Sequence, residues 1–141
     1  MTGVQTCALP ISGPTATVGT VLCPGYQDYI ALINSKGGVE GYKIRVLEVD
    51  NEYKVPPAIE AHERFKKEGA VLEGLYGTPQ TAALNKKLEE DKILGTSPGF
   101  GTASAADGKR YPNTFPIAAR DRKSTRLNSS HRSLSRMPSS A

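Results

Sequence analysis

Residues 29–53 read YIALINSKGGVEGYKIRVLEVDNEY, and three kinds of local order follow one another within them. Tyr29, Ile30 and Ile33, together with the earlier Leu22, form an apolar stripe at helical spacing. Thr17 is placed to cap this helix, which the pattern extends from about Gly19 to Ser35, with Gly25 weakening its middle. Asn34, Gly37, Gly38 and Gly41 supply backbone freedom that ends the helix and turns the chain. Lys43 to Val49 then changes to a strand pattern, presenting Ile44, Val46 and Val49, and Asp50 closes it, read as a cap to the following turn with a cation or ligand contact as the alternative.

The same alternation continues downstream. Pro56 and Pro57 sit where a helix can begin, since proline in a first turn gives up no needed amide. A helix from Pro56 to Glu68 follows, with Ala58, Ala61, His62 and Phe65 on its inner side, and Gly69 ends it. His62, without cysteine or histidine at ligand spacing, reads as a half-buried or exposed helix residue. Ala70 to Tyr76 is the next strand. Thr78 before Pro79 is expected to cap a helix from Pro79 to Glu90 that turns Ala83, Leu84 and Leu88 inward. Glu89, Glu90 and Asp91 read as a solvated charge run. Ile93 to Ser97 forms a short fourth element, and Pro112 to Ile117 begins another. Pro98 to Gly108 is too rich in small residues for a regular strand, and Asp107 reads as a turn residue.

Strands separated by single helices require right-handed crossovers, so the fold class is α/β, a partial doubly wound parallel sheet. Ligands of such sheets lie beyond the carboxyl ends of the strands, here the segments after Val49, Tyr76 and Thr96.

The 141 residues allow one modest core, and the charge is unevenly spread. From Arg120 onward five Arg and one Lys face a single Asp, whereas residues 1–119 carry 12 bases and 13 acids. The body therefore lacks the clustered basic footprint of a nucleic-acid binder. No run of about 18 apolar residues exists, and the start has neither the basic nor the apolar region of a secretory signal. Two cysteines, Cys7 and Cys23, are too few for a disulfide framework.

Residues 1–12 (MTGVQTCALPIS) and 121–141 match no helix or strand period, and both are similar to peptides translated from sequencing-adaptor DNA. The expected organisation is a foreign segment at 1–12, the α/β body at 13–119 and a disordered basic tail at 120–141.

Functional chemistry concentrates in Gly13-Pro14-Thr15, Gly77-Thr78-Pro79 and Ser97-Pro98-Gly99-Phe100-Gly101-Thr102, where hydroxyls and glycines meet the strand ends. Hydroxyls and unpaired helix-start amides suit a small anion such as a carboxylate. Thr78 is the leading donor, against the plainer reading of a helix cap; Ser97 and Thr102 have ordinary turn chemistry as their alternative. Tyr76 and Phe100 either wall a pocket or fill core. The body assembles no zinc cluster, nucleophilic triad or phosphate loop, so neither catalysis nor a cofactor or metal is expected.

Residues 29–53, with ERFKKEGAVLEGLYGTPQTAAL (63–84) and DKILGTSPGFGTASAADGKRYPNTFPIA (91–118), resemble the amino-terminal lobe of ABC-transporter substrate-binding proteins of the leucine/isoleucine/valine type. The most specific element is Ile33 to Gly41, followed by a strand with an acidic end at Asp50. The resemblance spans about Gly13 to Ala119 and implies a type I periplasmic-binding-protein lobe. It further implies capture of an amino acid, amide or small carboxylate for an ABC permease at the periplasmic or extracytoplasmic face, with no enzyme activity and no nucleic-acid partner. The family position that holds the ligand carboxylate falls on Thr78. Further family positions fall on Gly99 to Thr102 and on the first loop at Gly13; Thr15, Tyr76, Gly77 and Ser97, from the chemistry above, join Gly99, Phe100 and Thr102 in the candidate ligand set. A sensing domain of the same fold and a fragment of a doubly wound enzyme are the alternatives. The family's first strand lies between the second and third. Because residues 1–12 are set aside and Pro10 suits a central strand poorly, the middle of the sheet is expected to be missing.

Overall fold

The computed structural model describes residues 2–98 and 108–117. Five strands and three helices alternate as β1 (Thr2–Leu9), α1 (Ala16–Ser35), β2 (Lys43–Asp50), α2 (Val55–Lys67), β3 (Ala70–Leu75), α3 (Thr78–Asp91), β4 (Leu94–Ser97) and β5 (Thr114–Pro116). All pair in parallel in the order β2-β1-β3-β4-β5, the doubly wound arrangement expected. The expected tail and the turn at Asp107 lie outside the described residues.

The first strand is the main departure from the sequence reading. Residues 2–9, set aside as foreign, occupy the centre of the sheet and pair with β2 from Thr2↔Lys43 to Leu9↔Asp50, and with β3 on the other side. Val4, Thr6, Cys7, Ala8 and Leu9 are all buried, so neither face shows the alternation that marks a half-exposed strand. Pro10 lies just beyond the last ladder pair, where its missing amide costs nothing.

Alternate residues of β1 divide the core. Val4 and Ala8 pack with Ala61 and Phe65 of α2, and beside them Leu75 joins Ala58, Leu84, Leu88 and Ile93 under α2 and α3. Cys7 and Leu9 point to the opposite face, where they meet Cys23 of α1. Both thiols are free, with their sulfurs 3.8 Å apart. Burial pushes the Cys7 thiol up to about 11 and raises that of Cys23 further, which keeps both protonated and poorly nucleophilic.

The helices begin and face somewhat differently from expectation. Thr15, rather than Thr17, is the N-cap of α1, and its buried positions are Gly19, Cys23 and Ile30. Tyr29, one residue round from Ile30, is exposed. In α3 the inward stripe is Gln80, Thr81, Leu84, Asn85 and Leu88, which leaves Ala83 outside it and exposed. His62 is fully buried, not half-exposed, and Asp91 is tied into its surroundings.

Candidate functional site at the carboxyl rim of the sheet

Parallel pairing brings the ends of β1, β2, β3 and β4 to one rim, and side chains fasten the rim segments to each other. Asn51, immediately after β2, is 1% exposed; its Nδ2 donates to the carbonyls of Ala8 at 2.9 Å and Tyr76 at 3.4 Å. Its Oδ1 accepts from the Tyr53 amide, while Asp50 Oδ1 accepts from the amides of Glu52 and Ile11. These Asx-type bonds hold Glu52 and Tyr53 in left-handed conformations (φ 50° and 58°) that non-glycine residues adopt at a cost. Desolvation pushes the Asp50 carboxyl up, but donors from Ser12, Glu52 and Ile11 outweigh it and hold the group below its usual range.

Gly77 is the N-cap of α3 with φ 109°, a conformation glycine reaches without a steric penalty. A β-carbon there would overlap Gln80 Oε1 and come within 3.0 Å of the Tyr53 ring. Thr78 is therefore the first helical residue and exposed, not the capping residue anticipated, and α3 has no side-chain cap. As the first helical residue it stands among the amides that have no partner within the helix. The Gly77 carbonyl accepts from both the amide and the hydroxyl of Thr81, and that hydroxyl lies 3.3 Å from Ser97 Oγ at the end of β4.

Gly13 (φ 82°) and Thr15, the N-cap of α1, end the β1–α1 connection on the same rim. Tyr76 packs against Cys7, Leu9 and Cys23 on the α1 side, and its ring lies 6.1 Å from that of Tyr53. Gly13, Thr15, Tyr76, Gly77, Thr78 and Ser97 thus share the rim, whereas Gly99, Phe100 and Thr102 lie outside the described residues. Among the described residues, Thr15 Oγ1 at the start of α1 and both amide atoms of Gln80 at the start of α3 are buried on the rim without hydrogen-bond partners.

Sequence reasoning passed over Asn51 and Gln80. The Asp-Asn pair at a strand end signals an Asx turn, and a Gln three residues after an N-cap signals a side chain turned back toward the helix start.

A separate open groove of about 720 Å³ runs along α1, with Val18, Val21, Leu22, Tyr26 and Tyr29 in its lining. It follows the helix rather than the strand ends and carries almost no polar surface, so it does not share the rim's chemistry. Among the described residues no helix is long and apolar enough to cross a membrane, and no group of three or more His, Cys, Asp or Glu is placed to hold a metal ion.

A profile of the family described as periplasmic binding protein matches residues 7–127. The Leu/Ile/Val-binding protein homolog 1 of Brucella abortus (strain 2308) is 26% identical over 114 residues, covering 80% of this chain and 30% of that protein. The chain thus spans about a third of the length of the curated relative it matches. Among solved structures, the branched-chain amino acid transporter substrate-binding protein of Streptococcus pneumoniae in complex with isoleucine aligns with a TM-score of 0.74 at 21% identity, over 86% of this chain and 35% of that one. A branched-chain amino acid ABC transporter protein of Thermus thermophilus with bound valine aligns with a TM-score of 0.79 at 14% identity, over 96% of this chain and 36% of that one. At these identities the two structures establish the fold. The matched range begins at Cys7, inside the segment the sequence reading set aside.

Proposed function

The chain belongs to the periplasmic binding protein family, and we propose that it is part of an extracytoplasmic receptor that captures a branched-chain amino acid, or a related small amide or carboxylate, for an ABC importer. The observation that carries this reading is the set of unpartnered polar atoms at two helix starts on one rim, Thr15 Oγ1 and the Gln80 amide. Helix starts present unpaired amides and the positive end of the helix dipole, which suit the carboxylate of an amino acid. The exposed Thr78 would add its hydroxyl and amide to the same carboxylate oxygen. Tyr76 would wall the solute's side chain, with Gly13, Gly77 and Ser97 lining the approach; Gly99, Phe100 and Thr102, outside the described residues, join the set through the resemblance alone.

The relative's name and the isoleucine and valine in the similar structures favour the branched-chain class. Capture of this kind is reversible: no bond of the solute is broken, and affinity comes from replacing its water contacts with hydroxyls and amides. A second lobe in the rest of the protein would contribute the acidic partner of the ammonium group, and a membrane permease would receive the solute.

The test is calorimetric titration of the full-length gene product, recovered with its flanking DNA, against leucine, isoleucine, valine and small amides. Thr78→Ala is expected to weaken binding by roughly 1–3 kcal/mol. An unchanged dissociation constant removes Thr78 from the site, and absence of binding to every solute in the panel removes the receptor reading.

A further inference from the structure

The α2/α3 side of the sheet holds a titratable cluster that the rim does not use. His62 of α2 is fully buried, its Nδ1 lies 2.7 Å from Glu73 Oε2 of β3, and its Nε2 lies 3.1 Å from Asp91 Oδ2 at the end of α3. Asp91 Oδ1 also receives Lys66 Nζ of α2 at 2.6 Å. Glu73 is fully buried as well, and among the described residues its Oε1 has no hydrogen-bond partner. Its sheet neighbours in register, Thr6 of β1 and Gly95 of β4, are uncharged. Farther out, Glu63 of α2 pairs with Lys87 of α3, and Glu90 of α3 acts on Lys66.

A neutral imidazole has one N–H and one bare nitrogen, so it satisfies one ionised carboxylate and turns a lone pair toward the other. Carboxylate oxygens at hydrogen-bonding distance from both nitrogens match a ring with both nitrogens protonated. We propose that His62 is a pH-operated clasp, in which the imidazolium held between Glu73 and Asp91 locks α2 onto the β3–α3 unit, and loss of its proton opens that lock. The unit is the one that carries Gly77 and Thr78 between its two fastened ends, yet the proposal stands on packing and does not depend on the identity of any solute.

Burial by itself lowers the His62 basicity, but the hydrogen bonds and charges of Glu73 and then Asp91 outweigh it and raise it above 6.5. Desolvation likewise raises the Glu73 carboxyl, less the opposing pull of His62. Both shifts have the same sign: the folded chain holds protons that the unfolded chain releases. For His62 the stabilisation is fully present below pH 6.5 and is lost as pH rises through the higher folded value.

Nitrogen-15 NMR of the histidine rings in the full chain tests this directly. The expected result is a His62 ring protonated on both nitrogens at pH 6.5, with a midpoint above that value, and faster amide exchange in α2 and β3 once the midpoint is passed. Glu73→Gln, which keeps the shape and removes the charge, should lower the midpoint by roughly one pH unit or more. A ring that is neutral at pH 6.5, a midpoint at or below it, or amide exchange in α2 and β3 that does not respond to the His62 midpoint overturns the proposal. The wild-type titration decides the matter even if the variant does not fold.

Discussion

A β-carbon on Gly19 would overlap the carbonyl oxygen of Pro10, so α1 rests directly on the chain that leaves the central strand. Gly19→Ala must push the helix off that backbone, and a loss of roughly 1–3 kcal/mol is expected from overpacking. Gly25, in the same helix, has open space around its missing β-carbon. Gly25→Ala is expected to gain about 0.5–1 kcal/mol from helix propensity. Urea unfolding of the two variants should therefore move the midpoint in opposite directions.

Phe65 is fully buried between α2 and the sheet, whereas the Lys86–Glu90 pair stands in water with side-chain exposures of 85% and 59%. Phe65→Ala is expected to cost about 3–5 kcal/mol. Lys86→Ala should change stability by less than about 0.5 kcal/mol. Comparing their denaturation midpoints checks that burial of an α2 aromatic ring outweighs an exposed ion pair within α3.

Asp50 links the β1–α1 connection to the turn after β2 through the amides of Ile11 and Glu52. Its carboxyl is held below the ordinary 3.8, so its contribution is present above that value and is lost as pH falls through the lower folded value. Asp50→Asn should flatten this part of the acid limb in thermal melts taken between about pH 5 and pH 2. An acid limb identical to that of the unsubstituted chain would show that these hydrogen bonds do not lower the carboxyl.

Cys7 and Cys23 are 2% and 3% exposed, with both thiols held in the protonated form. A thiol-disulfide reagent at about pH 8 is expected to modify neither in the folded chain and both in denaturant, because the attacking species is the thiolate. Rapid modification of both under native conditions would contradict the packing of α1 on β1.

Sequence legibility followed the exposure of each element. β2, α2 and β3 were readable because glycines and prolines mark their ends and their residue patterns are clear. β1 was set aside because residues 1–12 are similar to adaptor-derived peptides; a strand buried on both faces shows no alternation to argue otherwise, and Pro10 stands just outside the ladder. His62 was readable as an inner-face residue, but the carboxylates that accompany it come from β3 and the end of α3, eleven and twenty-nine residues away. No local pattern announces such a meeting. At the rim, the hydroxyl and glycine residues were visible as a class. The division of labour was not: Gly77 takes the cap because its φ is positive, and Thr78 is left on the surface.

The order β2-β1-β3 also sets a schedule for synthesis on the ribosome. Once the chain has emerged as far as Asp50, β1 can close one flank, but its other flank waits for Ala70–Leu75. At about 5–20 residues per second that interval is roughly 1–5 s. Throughout it the nascent strand keeps a row of backbone donors and acceptors open to any passing strand, so the period of greatest exposure to mispairing comes before the third strand has been translated.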